Sequence, residues 1–342
     1  MKIKHAIIGC GHIAPSHVDA CISNGVEIGS CFDLDQEKAR KFASTHHIKL
    51  VASSLDEIIS DNSINTVSVC TDHKSHAELA IKLLKSGKNV VVEKPMALDI
   101  NSAKEMITTA KKFKKILSVI SQHRYNQVVK DVKCSLDKGD FGKITLINAT
   151  LNCQKDNEYY TNSYWKGRRN LEGGSTLINQ AIHTLDLVLW IKKVLPIDVK
   201  SYGSTLKFKN IIETEDTFSS IMRFQDESLV SLSSTNTSVD TWDSKIEIIG
   251  TKGTVTFSAD YPVKIIHLIH ENFKKGEVLR KKFESGEDKF EKAPPVSYYG
   301  TKHREQLKDF FNVVCGNRKK LFMPPEDALK TLTVVLKLYQ YR

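Results

Sequence analysis

The sequence predicts an α/β domain on a parallel sheet, followed by an α+β domain with an open, mostly antiparallel sheet. Three observations predict it. The first third alternates short apolar runs with amphipathic stretches, the texture of repeated strand–helix–strand units. One run there, Val90-Val91-Val92, is apolar without alternation, as a strand covered on both faces must be. After about Gly142 strand-like segments follow one another, joined by turn-rich links such as Gln225-Asp226-Glu227-Ser228 and Gly250-Thr251-Lys252-Gly253.

Taken in order, Lys4–Gly9 reads as a strand, Ala14–Asn24 as a helix and Glu27–Asp33 as the second strand. Asp35–His46 is a helix, Ile48–Val51 a short strand and Ser54–Ser60 a helix. Thr66–Thr71, Asn89–Glu93 and Ile116–Ile120 are strands, separated by helices at Lys74–Ser86 and Ile100–Phe113. The second texture supplies strands at Ile144–Cys153, Val199–Lys207, Thr217–Phe224, Leu229–Thr235, Lys245–Gly250, Thr254–Ser258 and Val263–Ile269. One helix, about Ser175 to Lys192, interrupts them. Two helices close the chain: His303–Val314, and one from Glu326 after Pro324-Pro325, a favourable helix start.

The 342 residues suggest about two domains at roughly 150 residues each. The expected division is 1–121 and 122–342, with the closing helices able to pack back on the first domain. A 40% hydrophobic and 26% charged composition excludes a disordered chain, a collagen and a coiled-coil rod. No apolar run is long enough for a transmembrane helix, and the N-terminal run is too short for a signal peptide, so a cytoplasmic protein is expected. The net charge of +10 is spread over short clusters such as Lys111-Lys112-Phe113-Lys114-Lys115, which read as solvated faces. They form no nucleic-acid-binding stripe, but the mild positive field suits an anionic small substrate. Seven cysteines, an odd number without a Cys-x-x-Cys pair, argue against both a disulfide framework and a zinc site.

Gly9-Cys10-Gly11-His12-Ile13-Ala14 joins the first strand to the first helix and matches G-x-G-x-x-G/A. Its glycines permit a tight turn and close backbone approach to a pyrophosphate, which the N–H groups of the helix terminus can then bind. Asp33 ends the second strand about twenty residues later, where a carboxylate binds ribose hydroxyls and repels a 2′-phosphate. The expected cofactor is NAD rather than NADP, held by Gly9, Gly11, His12, Ile13 and Asp33.

Two further constellations carry chemistry. Glu93-Lys94-Pro95 ends a strand at the sheet edge where ligands bind in open parallel sheets. An ammonium there could stabilise a developing alkoxide or lose its proton. Within Leu171 to Asp186, Asn179, His183 and Asp186 fall at i, i+4 and i+7, one face of a helix whose apolar stripe is Ile178, Ile182, Leu185 and Leu189. Such a polar stripe is solvated surface, or a site if it faces a cleft.

In this order, Gly-x-Gly-x-x-Ala, Glu-Lys-Pro and the Gly-Gly…His-x-x-Asp helix resemble the Gfo/Idh/MocA oxidoreductases over essentially the whole chain. The resemblance implies an N-terminal Rossmann domain and a C-terminal open sheet. It implies that Lys94 and His183 flank the reacting hydroxyl and the nicotinamide, His183 as general acid/base and Lys94 as electrostatic stabiliser. It also assigns Thr71, His76, Glu93, Lys94 and Gln122 to the cofactor, through Cys70-Thr71-Asp72-His73-Lys74-Ser75-His76 and Gln122-His123-Arg124-Tyr125-Asn126. Three positions depart from the family pattern. Asn179 stands where Asp is usual and cannot carry a proton, Ser175 replaces a glycine, and Asp72-His73 replaces Pro-Asn.

The stretch Tyr159-Tyr160…Tyr164-Trp165-Lys166-Gly167-Arg168-Arg169, followed by Asn179-Gln180-Ala181-Ile182-His183, looks like the branch that oxidises the C3 hydroxyl of UDP-N-acetylglucosamine-type sugars, including the glucuronate form. On that resemblance Arg124, Tyr160, Trp165, Arg168, Arg169, Asn179 and His183 contact substrate, with an arginine on a carboxylate or phosphate and Trp165 over the sugar. A loop-packing tryptophan with solvated arginines is the alternative. Three other functions stay open: a dehydrogenase of free polyols such as inositol, a glycosidase using transient NAD oxidation, and a non-catalytic sugar sensor. The resemblance also implies a homodimer or homotetramer.

Overall fold

Five short strands, β1 (Lys4–Ile8), β2 (Glu27–Phe32), β3 (Thr66–Val69), β4 (Asn89–Val92) and β5 (Leu117–Val119), pair in parallel in the order β2-β1-β3-β4-β5. The computed structural model describes residues 2–288 and 302–340. Every residue of β3, β4 and β5 is buried, as expected for strands covered on both faces. The connecting helices are α1 (Ala14–Ser23), α2 (Gln36–Thr45), α3 (Leu55–Ser60), α4 (His76–Lys85) and α5 (Ile100–Lys112). The chain leaves β1 for β2 on one side and returns to β3 on the other, so the loops after β1 and β3 border a topological switch point.

α6 (Gln127–Asp137) precedes a seven-stranded sheet. Its strands are β6 (Ile144–Gln154), β7 (Asp198–Ser204), β8 (Thr217–Arg223), β9 (Leu229–Thr235), β10 (Thr237–Gly250), β11 (Gly253–Ser258) and β12 (Ile265–His270), in the order β12-β11-β10-β6-β9-β8-β7. β6 and β9 run parallel, and the other neighbours are antiparallel. β8 shows the strand period: Phe218, Ser220 and Met222 are buried, while Ser219, Ile221 and Arg223 face outward. The outward face keeps Tyr202, Ile221 and Ile269 exposed. Between β6 and β7 lie α7 (Asn157–Thr161), α8 (Arg169–Glu172), a π-helical turn (Thr176–Ala181) and α9 (Ile182–Lys192).

α10 (Phe273–Glu284) follows the sheet, and α11 (His303–Val314) and α12 (Pro325–Gln340) close the chain. The described residues form two compact units, 2–122 with 302–332 and 123–288 with 333–340. In the first, Leu307, Phe310 and Phe311 of α11 share a core with Ala20 and Cys21 of α1. The Arg304–Asp19 ion pair lies beside it. Among the described residues no helix is long and apolar enough to cross a membrane.

Several elements differ from the sequence reading. Residues 48–51 contribute a single bridge, Val51 to Cys31, rather than a strand. α6 carries three valines, poor helix formers, yet Asn126 caps it and Val128, Val129 and Val132 are buried. α10 has an interior glycine and only a sparse apolar stripe, Leu279 and Phe283, behind an Asn272 cap. β10 begins at Thr237, eight residues before the expected Lys245, because an irregular register between Thr237 and Trp242 hides the alternation.

Candidate active site

The first unit builds its site on the turn after β1. Gly9 has φ +87°, and a Cβ there would lie 2.7 Å from the Cys70 carbonyl carbon, so a side chain is excluded by the fold itself. At Gly11 a Cβ would meet nothing within 4 Å. The two glycines therefore serve different ends: the first lets β1 and β3 approach, the second leaves the backbone open to a ligand. α1 has no side-chain cap, whereas α2, α3 and α5 are capped by Asp35, Ser54 and Asp99. An uncapped helix start beside an open glycine fits a pyrophosphate. His12 is exposed and Ile13 half-buried at this turn.

Asp33 is tied to the same turn. Its Oδ2 accepts the Cys10 N–H at 2.8 Å and lies 3.0 Å from Lys38 Nζ, while Oδ1 accepts the Asp35 N–H. Burial pushes the carboxyl up, but the two N–H groups and the ammonium outweigh it and hold it below the usual range. The acidic end of the cofactor turn is thus a fixed carboxylate with a lysine beside it.

Glu93 points into the domain. Its Oε1 accepts from His17 Nε2 at 3.0 Å and His303 Nε2 at 2.9 Å, and Oε2 accepts the Lys94 N–H at 3.2 Å. The wiring continues through His17 Nδ1 to Ser68, from Ser68 to His5, and from His5 to Thr66, all buried. Burial opposes the Glu93 charge, and the two imidazoles more than offset it, so the carboxyl sits well below its ordinary range. The carboxylate expected at the cofactor is thus engaged inward, anchoring the strand end, and the next residue, Lys94, keeps partial exposure. His76 is likewise buried, its ring contacting the Pro95 and Thr71 carbonyl oxygens at 2.7 and 3.2 Å. It braces the loops after β3 and β4 on each other. Thr71 accepts from Ser75 Oγ, and Gln122 is buried at the end of this unit's first segment.

In the second unit the expected single helix starts as a π-helical turn, a feature frequent at functional sites. Glu215 Oε1 accepts the N–H groups of Ser175 and Leu177 and the Tyr339 hydroxyl, so a carboxylate from another segment caps the turn. The wider turn also separates the polar residues that plain helical spacing puts on one face. Asn179 donates to Glu172 Oε1 at 2.6 Å, and Asp186 is buried against Arg124. Within Ile182–Leu189, His183 alone is not buried, and its ring stacks on His123 with centroids 4.5 Å apart and planes 9° from parallel. His123 is oriented by the Ala259 carbonyl at 2.8 Å, with Asp260 at 3.6 Å from its other nitrogen.

The aromatic and basic loop has two layers. Tyr160 is core: its hydroxyl meets Ser175 and Asn236, and its ring packs on Phe208. Arg124 is also inside, paired with Asp186 and over the Trp190 ring. Both are engaged within the fold, at positions where the resemblance implies substrate contacts. The outer layer holds exposed Arg168 and Arg169, both bonded to Glu213, and half-buried Trp165. Lys166 Nζ lies 3.7 Å above the Tyr159 ring. Glu172 and Tyr159 beside this loop, and His123 against His183, drew no role from the sequence, since pattern shows neither burial nor aim. The Gln122–Asn126 motif was the one signal that pointed at His123.

Comparison with known proteins agrees with this architecture. Residues 3–121 match the model of the oxidoreductase family with an NAD-binding Rossmann fold, and residues 129–256 match the GFO/IDH/MocA C-terminal domain. The chain belongs to the Gfo/Idh/MocA family. This Gfo/Idh/MocA protein is accordingly an oxidoreductase, and its cofactor is NAD. It is similar in fold to the WlbA dehydrogenase from Bordetella pertussis, solved with NADH and UDP-GlcNAcA, at 24% identity and TM-score 0.87, over 99% of this chain and 95% of that one. UDP-N-acetylglucosamine 3-dehydrogenase GnnA from Acidithiobacillus ferrooxidans matches with TM-score 0.76 at 16% identity, over 100% and 98% of the two chains. Myo-inositol 2-dehydrogenase of Thermotoga maritima is 24% identical over 257 residues, 74% of each chain.

Proposed function

We propose that the protein oxidises a hydroxyl of a sugar or nucleotide sugar, with C3 of a UDP-N-acetylhexosamine or its uronate form favoured. His183 is the general acid/base that takes the hydroxyl proton, and Lys94 steadies the developing alkoxide. NAD, when bound, accepts the hydride. The observation that carries this reading is His183 itself, the one accessible side chain on an otherwise buried helix segment, with its ring set against an oriented imidazole. Gly9, Gly11, His12, Ile13 and Asp33 would hold the cofactor, with Thr71 and His76 bracing the neighbouring loops.

The preference for an anionic substrate rests on the outer cations Lys166, Arg168 and Arg169 and on the net charge of +10. Fold neighbours solved with, or named for, UDP-linked amino sugars support the same class. Relatives named inositol dehydrogenases favour a second reading, a neutral polyol substrate. The reading includes a cytoplasmic homodimer or homotetramer, for which the exposed sheet residues Tyr202, Ile221 and Ile269 offer a self-association face.

The deciding experiment follows NADH formation from NAD with UDP-N-acetylglucosamine, its uronate, the free sugar and myo-inositol. Fastest turnover with a UDP-sugar supports the proposal. A faster neutral polyol replaces it, and glycoside cleavage without net NADH points to the glycosidase.

A further inference from the structure

We propose that Glu172 is a positioning residue that locks the loop carrying Trp165 and Lys166 onto the helix carrying His183. The idea that this loop touches substrate rests on the function proposed above; the lock itself does not. Glu172 is fully buried, and its two oxygens accept from two different segments: Oε2 from the Gly167 N–H at 2.5 Å, Oε1 from Asn179 Nδ2 at 2.6 Å. A buried carboxyl in an apolar setting is costly unless such bonds compensate it. Gly167 also admits no side chain. Its φ is +73°, and a Cβ there would lie 2.5 Å from Ile212.

The bond also fixes Asn179. With Nδ2 directed at Glu172 and, at 3.3 Å, at the Tyr159 hydroxyl, the amide has one orientation rather than two. Tyr159 accepts from Gln180 as well and lies under the Lys166 ammonium, closing the circuit between loop and helix. Asn179 stands where the family pattern has Asp, and its amide is held by the Glu172 carboxyl.

The groups facing Glu172 are Glu215, Lys166, Lys155, Tyr159, Tyr160 and Tyr339. Burial foremost, then Glu215, pushes its carboxyl up to about 7 against the Gly167 and Asn179 bonds.

The test uses the full-length protein with NAD. Hydrogen–deuterium exchange at the Gly167 amide is compared between wild type and Glu172→Gln, whose amide group must face one of the two donors. We expect exchange faster by about tenfold or more, the scale of one lost buried bond. Steady-state assays with the best substrate add a cycle. Glu172→Gln and Asn179→Ala should each raise KM more than they lower kcat, and together no more than the worse one alone. Unchanged Gly167 exchange in Glu172→Gln, or multiplicative KM effects, overturns the proposal. If Glu172→Gln does not fold, Gly167 exchange at the wild-type rate in Asn179→Ala overturns it. Faster exchange in a protein that turns over only neutral polyols keeps the lock and removes the nucleotide-sugar assignment.

Discussion

The Arg124 guanidinium clasps the Asp186 carboxylate through two hydrogen bonds of 2.7 Å, with both side chains almost completely buried. Such a pair is hard to break singly, since the survivor is an uncompensated charge in a low-dielectric interior. Arg124→Ala should therefore destabilise the protein by about 3–5 kcal/mol, measured by urea unfolding. Arg124→Lys should restore little, because an ammonium cannot make the paired bonds. A raised KM at unchanged stability would return Arg124 to the substrate site.

His183→Ala and Lys94→Ala should each reduce kcat by roughly 10²–10⁴-fold, with NAD affinity within a few-fold of wild type by fluorescence titration. Near-normal turnover of His183→Ala makes the histidine structural. Asn179→Ala should be milder in kcat, because an orienting amide is lost but no proton carrier.

Replacing Arg168 and Arg169 together should raise KM for a UDP-sugar far more than it lowers kcat, since the contacts serve ground and transition states alike. The effect should shrink at high salt, because both side chains are exposed. The Glu213 carboxylate pairs with the Arg168 guanidinium, so Glu213→Gln should lower the same KM by freeing that side chain, while Arg169 keeps its bond to the Glu213 carbonyl oxygen. An unchanged KM in the double variant defeats the anionic-substrate reading.

NAD should bind more tightly than NADP by roughly 1–3 kcal/mol, because a 2′-phosphate would meet the fixed Asp33 carboxylate. Asp33→Ala should narrow that gap, and Lys38→Ala in the intact Asp33 background should widen it, since Lys38 lies 3.0 Å from Asp33 and partly offsets its charge. Equal affinities in the wild type would contradict the assignment of Asp33.

Glu172 also makes a pH prediction with a definite sign. Its carboxyl is raised from 4.5 to about 7 in the fold, so its stabilising share is complete below 4.5 and lost as pH rises through 7. Glu172→Gln should flatten the stability curve in that window by on the order of 3 kcal/mol, read from urea midpoints at pH 5 and pH 8. Parallel curves for wild type and variant would show that Glu172 does not titrate there.

The Rossmann half was legible in the sequence because its signals are local. Apolar runs of strand length, amphipathic helices between them and a glycine turn at the first crossover all act within a few residues. The same holds for the ends of β8, β9 and α11. The family motifs, which are linear, likewise identified Lys94 and His183 as residues to examine. Tertiary structure alone decided the aim and burial of each side chain. It turned Glu93 inward onto His17 and His303, which stand 76 and 210 residues away. It buried Arg124 against Asp186 across 62 residues, placed Tyr160 in the core, and set a π-helical turn where plain spacing predicts an α-helix. Hydrogen bonds between distant segments leave no period in a sequence. The need to satisfy a buried carboxyl, met at Glu93, Glu172 and Glu215 by partners from other elements, arises only once the chain has closed over them.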